Sequence, residues 1–138
     1  MGIMLASLER AAHLVGAHIE HAARDHGITQ AEAHVLVRLA RDGSTSIATL
    51  HREFGTKRST LTNVLDRLEV RQLIRRELNP NDRRSFTVHL TRRGSAPARD
   101  LARVMDELDA RIRKTTSARD VQGVHAVVEA LAKLNEFE

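Results

Sequence analysis

Hydrophobic residues recur every three or four positions along most of the chain, which is the spacing of amphipathic α-helices. This pattern predicts a first helix over residues 3–26, which Gly27 ends. Thr29 and Glu32 have the spacing of a capping box, so a second helix begins there and ends before Gly43.

The next part of the pattern predicts two more helices and then a change to strands. Candidate N-caps at residues 44–46 open a short helix of two turns, and a longer helix covers residues 57–70. Residues 73–78 look extended, the cluster at residues 79–82 is typical of a turn, and residues 85–90 alternate hydrophobic and polar. Two strands around one turn predict a β-hairpin.

Helical spacing returns after the hairpin. Thr91 is a candidate cap for a long helix over residues 94–115, and Ser117 opens a last helix. Proline costs least in the first turn of a helix, so the long helix either begins near Ser95 or bends at Pro97. The sequence therefore predicts a mainly α-helical protein with a small β-hairpin.

A short helix, a turn, a second helix and a hairpin with a basic tip form a winged helix-turn-helix. The second helix of this motif fits the major groove of DNA, and arginine on the hairpin suits the negative potential of the minor groove. Residues 52–93 hold eleven basic and five acidic side chains, a net charge of +6, whereas the remainder carries −2. This asymmetry indicates a surface that meets a polyanion, although charge alone equally allows a solvated face without a partner.

Two stretches of the chain resemble the MarR family of transcriptional regulators. Residues 82–84 (DRR) with residues 88–94 (VHLTRRG) are similar to the family's wing, and residues 59–69 (STLTNVLDRLE) to its recognition helix. The resemblance covers essentially the whole chain. It implies a homodimeric repressor that binds a pseudo-palindromic operator in double-stranded DNA, and a small-molecule effector often releases such regulators from DNA.

The resemblance also implies how a single domain of residues 1–138 is organised. Residues 29–92 would form the winged helix-turn-helix lobe that binds DNA. Residues 1–28 and 93–138 would supply the helices of a dimerisation lobe.

Residue by residue, the resemblance assigns a DNA-binding surface. Arg84 would enter the minor groove, Asp82 would hold Arg84 by an ion pair, and Arg83 would lie near a phosphate. Asp66 is expected to pair with Arg67 or Arg71, because phosphate repels a carboxylate. The recognition helix would present these side chains to bases or phosphates: Lys57, Arg58, Ser59, Thr62, Asn63 and Arg67.

The chain departs from the family pattern at two positions. Family members usually carry glycine just before the first wing strand, where this chain has Gln72, and a left-handed backbone there would be mildly strained in glutamine. Pro97 early in the long helix is also unusual. Both departures bear on the angle between the wing and the dimerisation helices.

The effector pocket of the family would draw on the first and second helices and the start of the fifth, where His13 and Arg38 are candidate polar lining residues. The first helix also carries His18 and His21 on one face, a spacing that can hold a metal ion. The alternatives are therefore a zinc-responsive DNA-binding sensor that uses the amino-terminal histidines, or a non-specific architectural DNA-binding protein. The main hypothesis includes no metal and no cofactor.

Composition excludes several other classes. The chain has no Cys, so a disulfide framework and a thiol nucleophile are excluded, and it lacks the Trp and Tyr of a base-stacking platform. It has neither a phosphate-cradling glycine loop nor a nucleophile elbow, so we do not expect an enzyme. No hydrophobic run is long enough for a signal peptide or a membrane span, so we expect a soluble cytoplasmic protein without membrane contact.

Overall fold

A computed structural model describes residues 2–82 and 85–135 and confirms the mainly helical fold with a β-hairpin. No helix in these ranges is long and apolar enough to cross a membrane. The chain forms two compact units, one up to Val104 and one from Met105. Within the described ranges, the elements in chain order are α1 (Ile3–Arg24), α2 (Gln30–Asp42), β1 (Thr45–Ser46), α3 (Ile47–Phe54), α4 (Arg58–Val70), β2 (Ile74–Leu78), β3 (Phe86–Leu90), α5 (Arg92–Thr115) and α6 (Ala118–Leu134).

Side-chain caps begin three of the helices where the sequence predicts them. Thr29 Oγ1 accepts the backbone N–H of Glu32 at 3.2 Å, and the Glu32 carboxylate accepts the Thr29 N–H in return. Ser46 caps α3 and Ser117 caps α6 through the backbone N–H three residues later. These caps satisfy N–H groups that a helix leaves free, so the start of each element is set locally.

The core of the first unit joins the helices to the sheet. Burying one large aliphatic side chain contributes about 1.5–3 kcal/mol, so this core supplies most of the stability of the unit. The side chains with almost no exposure are Ile19, Leu36, Leu50, Leu65, Leu68, Ile74, Val88 and Leu101.

The hairpin is part of a three-stranded antiparallel sheet with the strand order β1-β3-β2. The register pairs Ile74 with Leu90 and Leu78 with Phe86. The sequence predicts the hairpin but not β1, because two residues are too short to show alternation. β1 attaches the start of α3 to β3, since Thr45 lies opposite Val88.

The backbone adopts a left-handed conformation two residues after the recognition-helix candidate α4 ends at Val70. Gln72 has a φ of 61°, where family members usually carry glycine, so the left-handed backbone anticipated at this position is present. The Thr91 hydroxyl donates to the Gln72 carbonyl at 2.5 Å, and the Thr91 N–H donates to the Leu73 carbonyl at 3.1 Å. We call Gln72, Leu73, Thr91 and Gly94 the wing junction, because α4, both hairpin strands and α5 meet there.

The long helix begins earlier than expected. The structure starts α5 at Arg92, so the predicted start near Ser95 is wrong, and Pro97 lies inside the helix. Thr91 is the cap, as predicted, because its Oγ1 accepts the Gly94 N–H at 3.0 Å. Proline has no N–H for the carbonyl four residues earlier, and the first turn is held instead by Thr91.

Gly94 is required by the close approach of α5 to the wing junction. A Cβ atom at Gly94 would overlap the carbonyl oxygen of Leu73 and lie 2.8 Å from its carbonyl carbon. Because Leu73 O belongs to the backbone, the main chain would have to move.

We expect Gly94→Ala to lower the free energy of unfolding by at least about 2 kcal/mol, since overpacking against backbone is costly. Gly123→Ala in α6 is the matched control, because a Cβ there meets nothing within 4 Å. Removing a helical glycine at that position is expected to raise stability by about 0.5–1 kcal/mol. Urea unfolding of both variants measures the difference, and effects of the same sign would contradict the close approach.

Candidate nucleic-acid interface

Helix α4 separates a hydrophobic face from an exposed polar face. Its buried residues are Leu61, Val64, Leu65 and Leu68. The opposite face is exposed and holds the predicted contacts Arg58, Ser59, Thr62 and Asn63, with Lys57 at the N-cap. Because the hydrophobic stripe orients the helix, the predicted contacts of the first two turns all face solvent.

Arg67 occupies a different environment from the other predicted contacts. Its guanidinium Nε lies 3.6 Å from Oε1 of Glu32, whose side chain is 5% exposed. Glu32 also forms the capping box at the start of α2. Arg67 therefore attaches the back of α4 to α2, a role that the sequence did not predict.

Arg76 on β2 connects α4 to the hairpin. Its guanidinium lies 2.7 Å from Oδ1 of Asp66 and donates to both carboxylate oxygens of Glu69, at 3.1 and 3.2 Å. The backbone N–H of Arg76 also donates to Glu69, at 3.0 Å. The expectation that Asp66 pairs with Arg67 or Arg71 is wrong, because Arg76 takes this carboxylate and Arg71 instead donates to the carbonyls of His26 and Gly27.

The contact between Arg76 and Glu69 changes the pKa of both groups. Hydrogen bonds from Arg76 lower the pKa of Glu69. Hydrogen bonds to Glu69, and then to Asp66, raise the pKa of Arg76 against the opposing effect of burial. Glu69 and Arg76 therefore both remain charged over the neutral range.

Arg76 could have been found from the strand pattern. Alternation along β2 places Arg76 on the same face as buried Ile74. A cation on the inner face of a strand requires an acidic partner. Its partners lie seven and ten residues earlier in the chain, so the sequence alone did not identify them.

The turn of the hairpin is present, and part of the predicted wing site lies beyond the described residues. The Asn79 N–H donates to the Ser85 carbonyl at 2.8 Å, and the Asn81 N–H donates to the Asn79 side chain. Asp82 is exposed. Arg83 and Arg84 lie outside the described ranges, as does the predicted ion pair between Asp82 and Arg84.

A cleft of about 400 Å³ lies between the hairpin and α4. Arg58 and Thr62 of α4 line one side, Asp82 and Phe86 of the hairpin line another, and His51 lies on α3. The structure therefore brings predicted contacts of the helix and of the wing to one concave surface.

Arg38 and His13, the two residues predicted to line an effector pocket, lie in different environments. Arg38 donates a hydrogen bond to Glu53 of α3 at 2.7 Å, and this bond raises the pKa of Arg38. His13 is exposed on α1. A second cavity, of about 460 Å³, lies between α2 and α4 and is lined by other residues, among them His34 and Phe54.

The amino-terminal histidines form no evident metal site. His26 Nε2 lies 2.8 Å from Oδ2 of Asp100 on α5, and this hydrogen bond lowers the pKa of Asp100. Within residues 2–82 and 85–135, no group of three or more His, Asp or Glu side chains is placed to hold a metal ion.

Comparisons with known proteins agree with the fold. Residues 28–86 match the model of the MarR family. Over 68 residues the chain is 37% identical to the HTH-type transcriptional repressor MdtR of Bacillus subtilis, a match covering 49% of this chain and 44% of that repressor. The structure is similar to S. aureus MepR in DNA-binding conformation, with a TM-score of 0.86, 18% identity and coverage of 97% and 100% of the two chains. It is also similar to NadR in complex with 4-hydroxyphenylacetate, with a TM-score of 0.85, 21% identity and coverage of 98% and 96%.

These matches bear on the predicted winged helix-turn-helix and on the fold. The family match includes α2, α3, α4 and β2 and ends at Phe86, the first residue of β3. The structural similarity covers nearly the whole chain and shows a shared fold. Residues 28–86 of this chain are thus similar to the MarR family, and the chain shares the fold of the solved structures.

Proposed function

We propose that the protein acts in the cytoplasm as a homodimeric repressor that binds a pseudo-palindromic operator in double-stranded DNA. Helix α4 reads base edges in the major groove. The hairpin reaches the neighbouring minor groove. The observation that carries this proposal is the exposed polar face of α4 beside the hairpin, within the most basic segment of the chain.

The exposed side chains of α4 have the chemistry of base and phosphate contacts. Thr62 and Asn63 can form hydrogen bonds with base edges, and Asn suits adenine. Lys57 and Arg58 at the start of the helix suit phosphate, which favours the positive end of a helix dipole. Arg67 is the weakest of the proposed contacts because Glu32 already engages it.

The wing supplies the second part of the proposed contact. Arg84 enters the minor groove, Arg83 lies near a phosphate, and Asp82 orients Arg84. Arginine is favoured there because a narrow minor groove concentrates negative potential.

A homodimer would place two copies of α4 on the two halves of one operator, about one helical turn apart. Each compact unit exposes large hydrophobic side chains of the kind that a dimer interface covers. In the first unit these are Ile3, Met4, Leu5, Leu14 and Val15, and in the second unit Ile112, Val124, Val128 and Leu134.

Release by a small-molecule effector is part of the proposal. NadR was crystallised with 4-hydroxyphenylacetate, which supports a ligand of comparable size for a protein of this fold. His13 and Arg38 remain the proposed polar lining of the effector pocket. An effector lowers DNA affinity only if it binds the released conformation more tightly, a coupling of typically about 1–3 kcal/mol.

The test of this function is fluorescence anisotropy with the duplex upstream of the protein's own gene, beside a scrambled duplex, at two salt concentrations. We expect the native duplex to bind at least about 10³-fold more tightly, with affinity that falls steeply with salt. Equal affinity for both duplexes, and for duplexes selected from a random library, would instead identify an architectural DNA-binding protein.

The wing assignment predicts a defined loss. Arg84→Ala should weaken operator binding about 5- to 150-fold and reduce the dependence on salt, because a charged contact to DNA is removed. Arg99→Ala is the matched control, since it removes the same charge from an exposed position on α5. If the two variants bind alike, Arg84 is not a wing contact.

The dimer assignment predicts that a charge on the hydrophobic face of α6 separates the subunits. Val128 is 50% exposed in the single chain, so Val128→Asp should leave the fold intact and shift sedimentation towards the monomer. Val70→Asp is the control, because Val70 is 82% exposed at the end of α4. A Val128→Asp protein that sediments as the wild type does would argue against α6 in the interface.

A further inference from the structure

Strand β2 is joined to α4 by one cluster of charged groups. We call Arg76, Asp66 and Glu69 the Arg76 clamp. Asp66 and Glu69 are three residues apart, so both carboxylates lie on one face of α4. Arg76 contacts both with its guanidinium, and its backbone N–H donates to Glu69 as well. The side chain and the main chain of one strand residue are thus both attached to the helix.

The clamp acts at an edge of the sheet. In the strand order β1-β3-β2, β2 pairs with β3 on one side, and Glu69 accepts an N–H on the other. The Arg76 side chain is 24% exposed, against 59% for Arg75 on the same strand. Isolated exposed ion pairs contribute little to stability. A guanidinium that binds two carboxylates, with a main-chain hydrogen bond beside it, instead fixes the orientation of the strand relative to the helix.

We propose that Arg76 is a positioning residue for DNA recognition, which sets the angle between α4 and the hairpin and thereby selects DNA of matching shape. This inference rests on the proposed function. In this proposal Arg76 acts through the hairpin and not through a DNA contact of its own, because its Nε and Nη2 are engaged by Glu69 and Asp66.

Because the hairpin extends away from Arg76, a small change in this angle displaces the tip of the hairpin. From Arg76 to the end of β2 at Leu78 the chain runs for about 7 Å at the rise of a β-strand, and the turn at residues 79–82 carries the hairpin further. A rotation of about 10° at Arg76 therefore moves the end of the strand by about 1 Å, and the tip of the hairpin by more. A displacement of this size breaks a hydrogen bond at the tip, because such bonds tolerate only a few tenths of an ångström. Loss of the clamp would weaken contacts of the wing while α4 stays in place.

The test is a double-mutant cycle between Arg76→Gln and Arg84→Ala, with affinity for the operator duplex as the readout. We expect Arg76→Gln to weaken binding about tenfold. In that background, Arg84→Ala should cost at least about threefold less than it does in the wild type, because the wing is no longer placed. Arg76→Lys keeps the positive charge but not the planar guanidinium that binds two carboxylates, and it should therefore bind DNA more tightly than Arg76→Gln and less tightly than the wild type.

Arg75→Gln is the matched control. It removes the same charge from the next residue of β2, whose guanidinium pairs with Glu77 within the hairpin. The cost of Arg84→Ala should be unchanged in this background. Asp66→Asn is a second route to the same result, since it weakens the clamp from the helix side without altering the hairpin.

A measurement without DNA tests the clamp itself. In the free ¹⁵N-labelled protein, the Nε–H of Arg76 should exchange with solvent more slowly than that of Arg75, and Glu69→Ala should remove the difference. Equal exchange at both residues in the wild type would overturn the clamp.

The outcomes of the DNA-binding cycle are distinct. Additive effects of Arg76→Gln and Arg84→Ala, with wild-type preference for the operator intact, overturn the positioning role alone. A third result would be additive effects together with a salt dependence that Arg76→Gln reduces as much as Arg84→Ala does. This result would identify Arg76 as a direct phosphate contact and would also overturn the positioning role. Absence of sequence preference in the wild type overturns the proposed function.

Discussion

The winged lobe depends on the contact between the start of α5 and the backbone at the end of α4. Gly94 lies so close to Leu73 that a methyl group would overlap its carbonyl. Thr91 donates to the carbonyls of Gln72 and Leu73 and also caps α5. Four elements meet within these few residues, so the hairpin and the first turns of α5 are positioned relative to α4 in one place.

Local signals predicted most of the fold. Helix starts followed from Thr29, Ser46 and Ser117, because a cap needs only a side chain and an N–H three residues later. The hairpin followed from alternation and a turn cluster. The start of α5 at Arg92 was missed, because Thr91 and Gly94 together hold a first turn that proline alone would have placed later.

The interface was predicted less completely, since its support comes from pairs distant in sequence. Arg67 pairs with Glu32, and Arg76 pairs with Asp66. The hydrophobic periodicity of the sequence gives no information on such pairs. These pairs have a common electrostatic effect. Each carboxylate on or behind α4 has an arginine beside it, so the negative charge of the helix is compensated away from the face that phosphate would approach.

The exposed face of α4 has one more property. Within the described part of the chain, the side chains of Ser59, Thr62 and Asn63 form no hydrogen bonds with other residues. The groups that orient the helix are a different set, on its buried and rear faces. Substitutions at the three exposed positions therefore leave the supporting contacts intact. Under the proposed function, a lineage carrying this scaffold can acquire a new DNA target by drift at a few surface positions, without passing through an unstable intermediate.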